Sequence, residues 1–364
     1  MLIERFDAPA LDRLRVIGGL FAKIIFMKGK EDWKNQIEGR ITSLKALCEY
    51  KNWVPPEKEI KCELKMFVTP YYASLIEKAD YSDPIFAMTV PSPEEAKSEQ
   101  ISCDPLEEEK FMPVSGLIRR YPDRAVYTAT LNCASRCRHC TRRWQIIENK
   151  DSVWKETLPK VLEFLKSAPE IEEIIISGGD PLMLEDDEIV EIVSAFKDQG
   201  VKVLRLGTRA PVTCPMRITG QLCQKLKAFS PIWIQTHFNH PREVTDEARE
   251  ALSKLADCGF PINNQTVLLK GINDNAETLE KLFRLLIQNR VRPYYLFQCD
   301  KIPGTEHFWT PLETGLKIVR ELRARLSGIA VPTFIVDRPA LDGKVPLSYA
   351  TAKDDCLVFP EWLS

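Results

Sequence analysis

Cys133, Cys137 and Cys140 stand at Cys-x3-Cys-x2-Cys spacing in the run Cys133-Ala-Ser-Arg-Cys137-Arg-His-Cys140. Three thiolates on one short loop can hold three irons of a [4Fe–4S] cluster and leave the fourth iron open to a further ligand. Two plainer uses compete. Tetrahedral zinc needs a fourth ligand, and His139 lies inside the loop, where it cannot easily join its neighbours. A thioredoxin-like pair at Cys137 and Cys140 leaves Cys133 unexplained. The cluster is the reading that employs all three. Eleven cysteines are present in total, and the others (Cys48, Cys62, Cys103, Cys214, Cys223, Cys258, Cys299 and Cys356) are scattered. That suits reduced thiols serving as small buried hydrophobes better than a disulfide scaffold.

Other residue types add chemistry to the cluster. Ser177-Gly178-Gly179-Asp180 sets two glycines side by side, so backbone can approach a ligand and offer amides and carbonyls to a methionine-like amino group. By itself such a pair is more often a turn. Arg120 and Arg124, four residues apart, can clamp a phosphate, although surface charge is the plainer reading. Asp300 and Asp337 put two carboxylates where a cation would be welcome and an acid repelled; a helix cap or a loop ion pair is the alternative. Lys344 closes the loop Asp337-Arg-Pro-Ala-Leu-Asp-Gly-Lys344, a position for a nucleophilic lysine or for a merely solvated one.

These residues need elements to position them. From about residue 125, short apolar runs alternate with amphipathic segments. Ala125–Leu131, Glu173–Ser177, Val201–Gly207, Ile232–His237, Pro261–Leu269, Pro293–Phe297 and Ala330–Val336 read as strands. Between them Leu279, Leu282, Phe283 and Leu286 recur at helical spacing behind a capping box at Asp274 and Glu277. Gly200, Gly259 and Gly328 mark expected helix ends. Alternating strands and helices imply right-handed βαβ units, hence an α/β fold: a partial or full parallel (β/α) barrel whose chemistry lies at the C-terminal strand ends. The motifs fall at those ends. Residues 1–105 read as a helical region broken by proline turns at Pro55-Pro56, Pro91 and Pro93. Residues 106–338 read as the barrel, and 339–364 as a C-terminal segment carrying Lys344.

Composition narrows the class. The 364 residues are 44% hydrophobic and 28% charged with a net charge of −2, which gives no case for nucleic-acid or membrane partners. Residues 15–28 are apolar but interrupted by Lys23 and too short to span a bilayer, so an amphipathic helix on a partner surface is expected there. A cytoplasmic location follows as the expectation.

The cysteine spacing directly after a strand is the radical S-adenosylmethionine signature, which a vast superfamily shares. More specifically, the chain resembles the lysine 2,3-aminomutase family from about Phe67 to Val345. Gly116–Arg124 (GLIRRYPDR), Cys133–Arg143 (CASRCRHCTRR), Ser177–Leu182 (SGGDPL), Thr236–Pro241 (THFNHP), Asn264–Leu269 (NQTVLL), Arg292–Asp300 (RPYYLFQCD) and Val331–Asp337 (VPTFIVD) carry the likeness. The resemblance implies three cofactors: a [4Fe–4S] cluster, S-adenosylmethionine and pyridoxal 5'-phosphate. It implies an isomerase that moves the amino group of a free α-amino acid from C2 to C3. Lys344 matches the Schiff-base lysine, and Arg120, Tyr121 and Arg124 match the pyridoxal phosphate contacts. Arg142 matches the grip on the substrate carboxylate. Asp300 and Asp337 match the aspartates facing a distal ammonium, so lysine is the leading substrate. His139, Ser177, Gly178, Gly179, Asp180, His237 and Gln265 match the S-adenosylmethionine side. An electron donor such as flavodoxin or ferredoxin is implied as well.

The chain departs from the family pattern twice. Ala340-Leu341-Asp342 stands where the family has glycines before the lysine, so side chains replace bare backbone, and Arg338 and Asp342 add charge to the loop. Asn275 stands where the family's structural zinc takes a cysteine, and the tail to Ser364 holds only Cys356. No zinc is therefore expected, and a homodimer rather than the family's tetramer. The rival expectations keep the cofactors but change the substrate (arginine, ornithine or an acidic amino acid) or the outcome to group elimination. Another acts on a lysine of elongation factor P, and the most distant is a non-catalytic metal or redox module.

Overall fold

The computed structural model describes residues 32–56, 60, 62–97, 104, 106–147, 154–338, 343–347, 351–353 and 356–358. The stretch 15–28, Cys103 and Ala340–Asp342 lie outside the described residues. Nine strands form one curled sheet in chain order: β1 (Leu117–Ile118), β2 (Arg124–Thr130), β3 (Glu173–Gly178), β4 (Val203–Gly207), β5 (Ile232–Thr236), β6 (Ile262–Leu268), β7 (Val291–Gln298), β8 (Thr333–Arg338) and β9 (Gly343–Pro346). Strands β2 to β8 run parallel, each joined to the next by a crossover helix. The short strands β1 and β9 pair antiparallel at the two margins. The result is an α/β partial barrel. Among the described residues, no helix is long and apolar enough to cross a membrane.

The strands alternate with period two. Ile174, Ile176, Leu204, Leu206, Ile232 and Ile234 face outward and are buried beneath the helices. Their neighbours Glu173, Ile175, Ser177, Arg205, Trp233 and Gln235 face inward and line a cavity of about 940 Å³. A closed eight-stranded barrel fills its interior with branched apolar side chains; this open one keeps a polar hollow.

The helix Ala276–Gln288 buries Leu279, Leu282, Phe283 and Leu286, as their spacing implies. Its cap is Asn275 rather than Asp274: the Asn275 side chain accepts from the Thr278 amide at 2.9 Å. Gly200 and Gly259 take positive φ at helix ends. Gly328 does not end a helix; Leu312–Arg325 has already stopped, and Gly328 opens a short 3-10 turn through Ala330. That turn delays β8 to Thr333.

Candidate active site

The loop after β2 carries the three cysteines, and the N-terminal region holds that loop by its backbone. The Arg136 amide donates to the Phe67 carbonyl at 2.9 Å, and the Arg138 amide to the Met88 carbonyl at 3.0 Å. The Thr69 amide reaches Ser135 Oγ at 3.2 Å, and Arg40 donates to the Cys133 carbonyl at 2.8 Å. Beneath the loop Arg138 and Arg143 both bind the buried Glu95 carboxylate. From the other side, the Gly179 and Asp180 amides donate to the Thr130 and Asn132 carbonyls at 2.6 and 2.8 Å. A Cβ at Gly179 would lie 2.6 Å from the Leu131 carbonyl carbon. The glycines thus let β3 press against the cysteine loop, and these two amides serve the loop itself. Burial, then mutual proximity of the cysteines, pushes the Cys140 thiol up to about 11 and Cys133 well above its ordinary value. Buried thiols that repel each other's ionised forms need cationic ligation to become thiolates.

Every residue expected from the sequence to take part lines the same cavity: the cysteines, His139, Ser177–Asp180, His237, Gln265, Arg120, Tyr121, Arg124, Arg142, Asp300, Asp337 and Lys344. Asp180 sits at its edge, accepting from Thr208 Oγ1 at 2.8 Å and from the Arg209 amide at 2.8 Å. Burial outweighs these bonds and raises its carboxyl above the usual range. Burial, with Arg209 adding to it, lowers His237 to about 4, and burial lowers His139 as well. Both imidazoles are neutral at physiological pH. His139 Nε2 lies 3.2 Å from Asn239 Nδ2.

At the opposite wall, Lys344 lies on β9, a margin strand paired with β8. Its backbone amide donates to the Tyr121 hydroxyl at 3.0 Å, and its Nζ lies 2.7 Å from Asp337 Oδ2. Asp337 Oδ1 accepts from Arg120 at 2.8 Å, and the same guanidinium reaches the Arg338 carbonyl. The Arg124 guanidinium stacks 3.8 Å from the Tyr121 ring centre. Gly343 sits at φ +57°, and a Cβ there would overlap the Tyr121 hydroxyl. This contact therefore requires glycine at position 343.

Arg142 forms a two-point pair with Glu108, Nη2 to Oε1 at 2.8 Å and Nε to Oε2 at 3.2 Å. Burial opposes the Arg142 charge, and Glu108 more than offsets that. Asp337 has two cations on it, whereas among the described residues no ion pair reaches the Asp300 carboxylate. Burial, with the Asp337 charge adding to it, raises Asp300 to about 7. Sequence reasoning missed Glu95, Glu108 and Glu243, which no local motif marks. It placed Arg209 after the third strand and Arg138 inside the cysteine motif but gave neither a role, because their partners are distant in the chain.

The cavity fits polar cofactors. Among the described residues, Arg120 Nε, His139 Nδ1, Gln235 Oε1 and Gln298 Oε1 are buried on its walls with no hydrogen-bond partner. An orphaned buried polar atom costs about 1–3 kcal/mol, so these walls favour a ligand with matching donors and acceptors. Three thiols on this one loop could each ligate a separate iron of a cluster.

The Radical SAM superfamily family model matches residues 127–286. An L-lysine 2,3-aminomutase of Fusobacterium nucleatum is 42% identical, covering 87% of this chain and 76% of its own length. The L-lysine 2,3-aminomutase of Clostridium subterminale is 40% identical over 87% of this chain and 77% of its own. A glutamate 2,3-aminomutase of Clostridioides difficile is also 40% identical, over 87% and 77% respectively.

Proposed function

The chain belongs to the lysine 2,3-aminomutase family of radical S-adenosylmethionine enzymes, and from that premise we propose that it moves the amino group of free L-lysine from C2 to C3. The observation carrying the substrate assignment is the arrangement of one arginine fork, Arg142, and two carboxylates, Asp300 and Asp337, in a single cavity with the cysteine loop. An α-amino acid with a distal cation matches that set. Asp337 already carries an ammonium group, that of Lys344 at 2.7 Å. An acidic amino acid would bring its second carboxylate against Asp300.

When bound, S-adenosylmethionine on the cluster supplies hydrogen-atom abstraction, and pyridoxal phosphate supplies the carbonyl that carries the migrating nitrogen. The chain's own residues do the rest. Cys133, Cys137 and Cys140 would hold the irons, with Ser177–Asp180, His139, His237 and Gln265 beside the open position. Arg120, Tyr121 and Arg124 would receive the phosphate-bearing cofactor next to Lys344. Arg142 would exchange the Glu108 carboxylate for that of the substrate, so that its own guanidinium stays paired while the buried Glu108 is displaced. Asp300 and Asp337 would fix the far end, so that C2 and C3 stay between the two cofactor sites. A one-electron donor such as flavodoxin or ferredoxin would reduce the cluster.

The test is an anaerobic assay of reconstituted protein with both cofactors, a reductant and a pool of free amino acids, read by mass spectrometry after derivatisation. Conversion of lysine to β-lysine is the expected result. Formation of 5'-deoxyadenosine with lysine untouched and another amino acid consumed would overturn the substrate assignment.

A further inference from the structure

We infer that Arg209 is a positioning residue for the cluster: its guanidinium donates a charge-assisted hydrogen bond to the Cys137 sulfur and raises the potential at which the cluster accepts its electron. Arg209 Nη1 lies 2.7 Å from Cys137 Sγ. The other two nitrogens are tied down. Nη2 donates to Glu243 Oε1 at 2.6 Å and to the Tyr72 hydroxyl at 3.0 Å, and Nε donates to the His237 carbonyl at 3.2 Å.

These anchors are themselves rigid. Glu243 is fully buried and accepts from the Tyr72 hydroxyl at 2.6 Å and from the Asn239 and His240 amides at 2.6 and 3.0 Å. Turning the guanidinium away from Cys137 would leave several buried groups unpaired. A purely structural arginine would be satisfied by Glu243, Tyr72 and the carbonyl. This one spends its remaining nitrogen on a sulfur that lines the cavity. Among the described residues, Cys133 and Cys140 receive no side-chain hydrogen bond, so the interaction addresses one sulfur of the three.

The consequence follows from charge. A low-potential one-electron donor gives the cluster one electron, which makes it more negative by one unit with no proton moved. A fixed cation and an N–H aimed at a ligand sulfur favour the more negative state, and cluster potentials respond to such hydrogen bonds. Glu243 and Tyr72 act through Arg209 by holding it there.

The inference rests on the cysteines holding a cluster, so iron and sulfide are counted first in the reconstituted full chain. Absence of iron and sulfide from the wild type would overturn that reading and this inference with it. The midpoint potential is then titrated without S-adenosylmethionine, followed by electron paramagnetic resonance, for the wild type, Arg209→Gln and Arg209→Lys. With cluster content unchanged, Arg209→Gln should lower the potential. The reduced-to-oxidised ratio at fixed ambient potential should fall about tenfold, which is about 59 mV for a one-electron couple, and Arg209→Lys should recover part of it. A wild-type potential in a fully loaded Arg209→Gln protein overturns the inference; a concurrent loss of S-adenosylmethionine affinity would assign Arg209 to that ligand instead. If Arg209→Gln takes up no cluster, Tyr72→Phe loosens the anchor while keeping the charge. It should give a smaller fall, and no fall would overturn the inference.

Discussion

Asp300 concentrates the electrostatics of the substrate end in one group. Its carboxyl titrates at about 7 in the folded chain, against an ordinary 3.8, because burial and the Asp337 charge disfavour its ionised form. A distal ammonium stays charged throughout this range, so pairing with it strengthens as Asp300 ionises. Affinity for lysine should therefore rise about tenfold between pH 6 and pH 8, measured as KM. Asp300→Asn should show weak binding with that pH dependence gone. The sign for stability is the reverse. The unfolded chain releases the proton near 4 and the folded chain holds it to about 7, so stability falls across that window. Asp300→Asn should accordingly melt at a higher temperature than the wild type at pH 8 while turning over less. Lys344→Ala should abolish the pyridoxal absorbance of the reconstituted protein; an absorbance equal to wild type would remove Lys344 from its assigned role.

At the scale of elements, two short-range devices decide whether the machinery is in register. The Gly179 backbone meets the Leu131 carbonyl carbon where a Cβ would stand 2.6 Å away. Gly179→Ala must push β3 and the cysteine loop apart. The expected outcome is native-like circular dichroism with much reduced iron incorporation on reconstitution. Asn275, by contrast, caps a helix far from the chemistry. Asn275→Ala should cost about 1 kcal/mol in thermal unfolding and leave the cluster content unchanged. The helix and strand pattern from residue 125 onward was readable because one face of each element is buried and the periodicities of 3.6 and 2 survive in the sequence. Boundaries slipped where a neighbour competed for the same role. Asn275 displaced Asp274 as cap, and the Gly328–Ala330 turn took Ala330, which the sequence reads as the start of β8.

The whole molecule adds a clamp that no single element contains. Glu95, from the N-terminal region, lies under the cysteine loop with Arg138 and Arg143 on it, and its carboxylate is almost fully buried. Burial opposes its charge, but the two guanidinium groups prevail and hold the carboxyl below its ordinary 4.5. The stabilisation is thus complete above pH 4.5 and fades on acidification below it. Glu95→Ala strands two buried cations. It should destabilise the protein by about 3–5 kcal/mol in denaturant unfolding, with loss of cluster uptake as the loop loosens. On the far side of the barrel, Arg120 joins β1 to the end of β8, and Tyr121 joins it to β9. The margins of the open sheet are thereby tied by the same side chains that face the cofactor cavity.

The amino-acid sequence by itself determined what is local. Cysteines three and four residues apart share a loop whatever the fold around them. Alternating strand and helix patterns compel a parallel sheet, and motifs at strand ends must meet at one rim. Tertiary structure alone decided which charge answers which. Arg209 and Cys137 are 72 residues apart, Arg138 and Glu95 43, Arg142 and Glu108 34, and Arg120 and Asp337 217. Such pairs have no period and no spacing rule. They form because curling the sheet brings its margins and the N-terminal region around one hollow, where each buried charge must find a partner or remain unpaid in solvation.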